Sequence, residues 1–193
     1  KAAAASVAEP IWRAAEPRRL LGAPAFLMFL IAAGAVQAAH ATFLTFGTLI
    51  WQKQGLSGGW TGALWGIGVF AEVALFAASG RVVASFGAAR LIVLGAAASI
   101  VRWIVMAFSP PLEILVPLQV LHGVTYGAAH IGAIHFIHDA VPSRIAGSAQ
   151  ALYATVASGI AMGVATLLAG WIYAVAGAQS YMAMAAVALL ALF

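Results

Sequence analysis

The chain has 193 residues, of which 64% are hydrophobic and only 7% are charged. A soluble domain carries about 25% charged residues, so this composition excludes a soluble globule. Intrinsic disorder is excluded too, because disordered segments are polar. The net charge of +4 comes from scattered Lys and Arg residues, which form no basic face for nucleic acid. The absence of Cys excludes disulfides and thiolate metal sites, and the composition predicts a membrane protein.

Residues 1–20 are rich in Ala, Pro and Arg, and we predict a linker there. A membrane helix needs about 20 apolar residues, and six apolar stretches follow, separated by turn-forming residues. The chain begins at Lys1 without Met and ends at Phe193 inside an apolar stretch, so we expect a longer protein with a truncated last span. We predict a transmembrane domain over 21–193, with spans at about 24–51, 60–79, 91–108, 112–137, 147–176 and 180–193.

Positive charges between the predicted spans alternate from one side of the membrane to the other. Cytoplasmic loops carry an excess of Lys and Arg. The first loop holds only Lys53, and the third and fifth loops hold no Lys or Arg. We therefore predict that the linker and the second and fourth loops are cytoplasmic. The positive charges assigned to that side are Arg13, Arg18, Arg19, Arg81, Arg90 and Arg144.

Two charged residues stand out deep inside predicted spans. Glu72 lies about 18 Å from the outer end of the second span, and Arg102 about 17 Å from the cytoplasmic end of the third, at 1.5 Å per residue. Both are therefore near the middle of the membrane, where charges are costly and face a bundle interior or an aqueous cavity. We expect Glu72 and Arg102 to pair with each other. The alternative is a purely structural ion pair, although burying such a pair is a poor way to gain stability.

The fourth predicted span carries a polar stripe. At 100° per residue, Gln119, His122, Tyr126 and His130 fall within one sector about 80° wide, whereas His135 lies on the opposite side. The stripe predicts a polar path along the helix. For His122 and His130 the alternative is a core histidine bonded to a carbonyl group. His135 and His138 have a spacing that could ligate a metal, but interfacial histidines are commoner, so no metal site is predicted.

Further candidates lie on the first two spans. On the first span, Gln37 and His40 share one face. Trp65 precedes Glu72 by seven residues and therefore lies on the same helical face. We expect Trp65 and Tyr126 to form an aromatic wall for a flat solute, with lipid-facing aromatic residues as the alternative. Glycines spaced by four also predict close helix contacts; they are Gly58, Gly62 and Gly66, Gly123 and Gly127, and Gly159 and Gly163.

No motif of a known catalytic centre is present. The chain contains no HExxH, GxSxG, Walker A or GxGxxG pattern. We therefore predict neither an enzyme nor a bound cofactor.

Several stretches resemble the C-terminal six-helix half of a major facilitator superfamily transporter. They are most similar to the phenylpropionate permease family, relatives of the lactose–proton symporter, and together they cover about residues 34–153. The resemblance implies an all-α, membrane-embedded six-helix bundle, half of a twelve-helix fold that works by alternating access. The stretches are 37–41 (QAAHA), 64–69 (LWGIGV) leading to Glu72, 101–103 (VRW), 119–122 (QVLH) with Thr125 and His130, and 149–153 (AQALY).

The resemblance also implies partners and a location. A missing N-terminal six-helix half would complete the cavity, and the protein would span a bacterial inner membrane. Glu72 and Arg102 match the acid and the arginine that handle proton and sugar in the lactose symporter. Its Lys-x-x-His-x-x-Glu run is Gln119, His122 and Thr125 here, so only the histidine is kept. This departure leaves Glu72 and His122 as the available protonatable pair.

We therefore predict a proton symporter of a small organic solute, an aromatic carboxylate such as phenylpropionate. The proton-coupling residues would be Glu72, Arg102 and His122. The alternatives are a sugar or nucleoside symporter, and a non-transporting membrane scaffold with a structural Glu72/Arg102 pair. The predicted solute-binding residues are His40, Trp65, Arg102, Gln119, His122 and Tyr126.

Overall fold

The computed structural model of the protein describes residues 20–193, and within that part of the chain every regular element is a helix. The predicted linker, 1–20, lies outside the described residues except for Leu20. The helices, numbered in chain order, are α1 Pro24–Ala38, α2 Ala41–Lys53, α3 Gly58–Ala77, α4 Ser79–Phe86, α5 Ala88–Ala107, α6 Leu112–His122, α7 Ala129–Ala140, α8 Ser143–Tyr153, α9 Met162–Ala176 and α10 Ser180–Leu189.

Five helical segments among the described residues are long and apolar enough to cross a membrane. The first is Pro24–Lys53, the second Gly58–Ala77, the third Ala88–Ala107 and the fourth Leu112–Ala140. The last apolar segment, Ser143–Leu192, has 50 residues, far more than one crossing needs. Gly177, with φ of +55°, ends α9 and divides this segment into a fifth span, 143–176, and a sixth, 180–192.

The structure confirms the predicted six-helix bundle. Local chemistry explains several helix starts: Pro24 occupies the first turn of α1, and the Ser57 hydroxyl accepts a hydrogen bond from the Trp60 amide at 3.3 Å. The second loop differs from prediction, because most of it is helix α4, ended by Gly87 at φ +75°. Its apolar residues, such as Val82 and Val83, pack against the fourth span, which accounts for the extra helix.

Three of the spans are not continuous α-helices. The first is interrupted at Ala39 and His40. The fourth contains a π-helical segment, Gly123–Ala128, and the fifth another, Ala154–Ala161. π-Helical turns are rare and frequently occur at functional sites.

The second span packs against the fourth most closely at a pair of glycines. A Cβ on Gly123 would lie 2.8 Å from the carbonyl oxygen of Ala71, and one on Gly127 would lie 3.2 Å from the Leu75 side chain. This predicted glycine pair is therefore a close helix contact. The other two predicted sets are not: Gly58, Gly62, Gly66 and Gly163 have no neighbour within 4 Å, and Gly159 is near only its own helix.

The third span lies between the fourth and the sixth. A Cβ on Gly132 would be 2.6 Å from the Ala88 carbonyl oxygen, so the third and fourth spans touch through their backbones. On the other side Trp103 stacks on Tyr181, with ring centroids 5.6 Å apart and planes inclined by 5°. The third span is thus enclosed where it carries Arg102.

Candidate functional site

Arg102 is held between two aromatic rings inside the bundle. Its side chain is 0% exposed. The guanidinium carbon lies 4.3 Å from the centroid of Phe43 and 4.5 Å from that of Trp103. The weak hydration of a guanidinium and its affinity for aromatic faces make this surrounding tolerable for a cation.

The polar contacts of Arg102 all come from the fourth span. Its Nη2 donates to Oε1 of Gln119 at 3.0 Å, and its Nη1 donates to Nδ1 of His122 at 3.1 Å. A longer contact of 3.5 Å joins Nη1 to the Thr125 hydroxyl. Within residues 20–193, the buried Nε of Arg102 and Nε2 of Gln119 have no hydrogen-bond partner.

His122 lies between Arg102 and Glu72. Since a guanidinium can only donate, Nδ1 of His122 is an acceptor and the imidazole proton is on Nε2. That Nε2 lies 3.8 Å from Oε2 of Glu72, slightly beyond hydrogen-bond distance. The expected direct pairing of Glu72 with Arg102 is therefore wrong, because Arg102 is engaged by the fourth span and the imidazole ring intervenes.

His40 is a second buried histidine of this cluster. It is 0% exposed. Its Nδ1 lies 2.8 Å from the carbonyl oxygen of Val36, and its Nε2 lies 3.2 Å from Oγ1 of Thr125. Its ring meets His122 edge-on at 5.6 Å and Tyr126 at 5.7 Å, so the first span joins the same network.

The predicted site residues differ in their accessibility. His40, Arg102 and Gln119 are completely enclosed. In contrast, 20% of the Glu72 side chain is exposed, and Tyr126 is half-buried. The structure therefore presents an accessible layer with the carboxyl and phenol groups, backed by an enclosed layer with the guanidinium.

Tyr126 belongs to a ladder of rings on the fourth span. Its ring is stacked with His122 at 5.6 Å and 24°, and with His130 at 6.1 Å and 7°. The predicted polar stripe is thus one continuous set of side chains. Gln119 is its fourth member and is bonded to Arg102 rather than to a ring.

Trp65 does not join Tyr126 in a common wall. Its indole nitrogen donates to Oγ1 of Thr48 at 3.0 Å, and its ring packs on Phe43 at 4.5 Å. Phe43 in turn contacts the His122 ring at 5.5 Å. Trp65 is therefore one aromatic ring away from the site, held there by a hydroxyl of the first span.

Sequence reasoning missed several members of the cluster as site residues. Phe43 and Thr125 both contact Arg102, and Gln37 donates to the Tyr153 hydroxyl at 3.4 Å. An apolar phenylalanine in an apolar span carries no signal. Thr125 falls outside the sector of the polar stripe when residues are counted at 100° each.

The histidines at the far end of the fourth span are separate from this cluster. His135 is hydrogen-bonded to the Ile131 carbonyl oxygen at 3.0 Å, and His138 to the Asp139 carboxylate at 2.8 Å. Across residues 20–193, no three His, Cys, Asp or Glu side chains are grouped as a metal site requires.

A groove of about 740 Å³ runs between the second and fourth spans. Residues such as Ile67, Phe70 and Val120 line it, and none of the predicted site residues does. Its lining is entirely apolar or glycine, so it supplies none of the polar contacts that a small organic solute requires.

Comparisons with known proteins give one consistent family. Residues 9–184 match the model of the MFS_1 like family. The chain is 34% identical over 165 residues to the "Probable 3-phenylpropionic acid transporter" of Escherichia coli (strain K12), covering 86% of this chain and 43% of that protein. It is 32% identical over 160 residues to "Maltose permease" of Geobacillus stearothermophilus, covering 82% and 38%.

A third relative is the "Uncharacterized transporter YwbF" of Bacillus subtilis (strain 168), 26% identical over 156 residues, with 81% of this chain and 39% of that protein covered. The chain therefore spans less than half the length of these curated relatives. No solved structure matches it.

Proposed function

Because the chain belongs to the MFS_1 like family of transporters, we propose that it forms half of a proton symporter for a small organic solute, working by alternating access. The order Arg102–His122–Glu72 carries this proposal. Ionisable residues inside a membrane mark proton and substrate paths, and here one carboxyl group is accessible while the cation behind it is enclosed. The other six spans would come from a second half, and the membrane would be a bacterial inner membrane.

Glu72 carries the coupling proton in this proposal. As a carboxylate it attracts the Nε2–H of His122, and a shift of less than 1 Å would bring their 3.8 Å separation within hydrogen-bond range. Once protonated, Glu72 no longer needs this contact and can donate to a solute. Arg102 holds Nδ1 of His122 as an acceptor, so His122 remains a donor toward Glu72.

The solute lies against the accessible layer. Tyr126 offers its half-buried ring and a hydroxyl group, and the partly exposed Glu72 carboxyl group belongs to the same layer. Trp65 closes the aromatic cluster through Phe43. Direct solute contact with His40, Gln119 or Arg102 requires another conformation of the transport cycle, because all three are enclosed here.

An aromatic carboxylate such as phenylpropionate is the proposed solute class. The ring ladder on the fourth span suits a flat aromatic group, and one relative is named for 3-phenylpropionic acid. A sugar is the second candidate, because another relative at nearly the same identity is a maltose permease. The Tyr126 hydroxyl and the Glu72 carboxyl group of the accessible layer also fit the hydroxyl groups of a sugar.

The test is uptake by the full-length protein in reconstituted vesicles. Labelled aromatic acids, sugars and nucleosides are offered with and without an inward proton gradient. We expect accumulation of an aromatic acid that the gradient drives and an uncoupler abolishes. Accumulation of a sugar alone would select the second candidate. Absence of uptake for every compound would favour a non-transporting scaffold.

A further inference from the structure

The break in the first span is tied to the side chain of His40. The backbone amide of His40 bonds to the carbonyl oxygen of Gln37 at 3.0 Å, a tighter turn than the α-helix allows. The carbonyl oxygen of Val36, which an α-helix would pair with that amide, is instead 2.8 Å from Nδ1 of His40. The imidazole therefore replaces a backbone hydrogen bond.

This replacement fixes the direction of the next hydrogen bond. With the proton on Nδ1, the Nε2 of His40 can only accept. The Thr125 hydroxyl, 3.2 Å away, must then donate to it, and its oxygen faces Nη1 of Arg102 at 3.5 Å. The same hydroxyl is 3.2 Å from the His122 carbonyl oxygen, its alternative acceptor.

We propose that His40 and Thr125 are positioning residues that connect the break in the first span to the Arg102–His122–Glu72 series. This inference rests on the proposed function. It adds that the conformation of the first span affects how His122 is oriented toward Glu72. Spans one, three and four meet in this chain of contacts, and no solute contact is needed for it to act.

The connection has two states. In the first state the span is interrupted at His40, Nδ1 of His40 donates to the Val36 carbonyl oxygen, and Thr125 donates to His40. In the second state the span is a continuous α-helix. The backbone amide of His40 then donates to the Val36 carbonyl oxygen, and Nδ1 loses its acceptor. Thr125 then donates to the His122 carbonyl, and the Nη1 contacts that orient His122 toward Glu72 are altered. A change in the first span thereby reaches the proton site.

The first test uses the tautomers and is independent of transport. Full-length protein labelled with ¹⁵N-histidine is studied by NMR in detergent, with resonances assigned through single His→Gln variants. We expect His40 protonated on Nδ1 and His122 on Nε2. Thr125→Val should shift the His40 Nε2 resonance. Thr42→Val is the matched control. Thr42 lies on the first span, two residues after His40, is fully buried, and has no hydrogen-bond partner within residues 20–193.

The second test uses transport. Thr125→Val should lower gradient-driven uptake about tenfold, the cost of one such hydrogen bond, with KM in counterflow exchange unchanged. Thr125→Ser should restore uptake, and Thr42→Val should leave it intact. If Thr125→Val does not insert, the smaller Thr125→Ala replaces it. The losses of uptake caused by His40→Gln and Thr125→Val should not add in the double variant, because each substitution removes the same contact between His40 and Thr125.

Either test can overturn the proposal. In the NMR test, a His40 protonated on Nε2, or a His40 resonance that Thr125→Val leaves unmoved, would do so. In the transport test, additive losses, or a Thr125→Ser variant as slow as Thr125→Val, would do so. If the wild-type protein accumulates no solute with protons, the proposed function fails while the NMR result still decides the positions of the hydrogen bonds.

Discussion

Nδ1 of His122 accepts a hydrogen bond from Nη1 of Arg102 at 3.1 Å, and this contact determines what Glu72 faces. The carboxyl group meets a neutral N–H donor rather than a guanidinium. A carboxylate in direct contact with a buried guanidinium would be held strongly in its charged form. An imidazole N–H is a weaker partner, and a proton carrier must be able to change its protonation state.

Glu72→Gln is predicted to abolish gradient-driven accumulation and to leave counterflow exchange largely intact. Glutamine has nearly the same volume and resembles the protonated acid, but it cannot release a proton. Both activities are measured in reconstituted vesicles, with Glu113→Gln as control because Glu113 is exposed at the start of the fourth span. Accumulation against a gradient by Glu72→Gln would show that Glu72 is not the carrier.

Arg102→Ala is predicted to impair accumulation and exchange together, each by about tenfold or more. The substitution leaves His122 and Gln119 without their buried donor. Arg102→Lys should restore little, because an ammonium group lacks the planar fork and does not fill the space between Phe43 and Trp103. Arg90→Ala is the control, since Arg90 is exposed. Normal exchange in Arg102→Ala would refute the prediction.

The histidines of the fourth span should separate by function. His122→Ala removes the group between Arg102 and Glu72, and we expect a loss of transport of about tenfold or more. His135→Ala removes only a bond to its own helix, and transport should be retained. Uptake is compared at equal amounts of protein in the membrane. Equal losses in the two variants would show that the helical face on which a histidine lies does not decide its role in transport.

Cysteine labelling tests the sidedness. The chain contains no Cys, so single cysteines can be introduced at positions 53, 81, 90 and 144 and exposed to an impermeant maleimide in intact cells. The alternation of loop charges predicts that only position 53 reacts from outside. External labelling at position 144 would contradict the topology.

Gly123→Ala is predicted to destabilise the protein by about 1–3 kcal/mol, the usual cost of overpacking. The added Cβ would lie 2.8 Å from the Ala71 carbonyl oxygen, so the second and fourth spans must separate. Gly66→Ala is the matched control, because nothing lies within 4 Å of Gly66. Thermal unfolding in detergent compares them. Equal melting temperatures would show that the second and fourth spans accommodate the added methyl group without loss of stability.

The spans and the family could be predicted because both depend on local sequence. An apolar stretch of membrane length bounded by turn residues must become a helix in lipid, and such stretches were recognisable one by one. Helix α4 was missed because its residues also suit a loop, and only packing against the fourth span decides between the two.

The site was predicted in part. Counting residues at 100° each correctly grouped His122, Tyr126 and His130 on one face. At the same 100° per residue Thr125 falls outside that sector, so it was left out of the site although its hydroxyl contacts Arg102. Which residue pairs with Arg102 depends on distances between spans, and a single sequence contains no such distances. Glu72 and Arg102 were therefore paired by charge alone.

The close contact between Gly123 and Ala71 has a mechanical consequence for the second span. Ala71 lies about 20 Å from the end of the span at Gly58 at the helical rise per residue. If the span tilted by about 10° around this close contact, that end would move by about 3.5 Å, given the same length. Glu72, the adjacent residue, would hardly move. The carboxyl group thus lies where a change in the inclination of the span displaces it least.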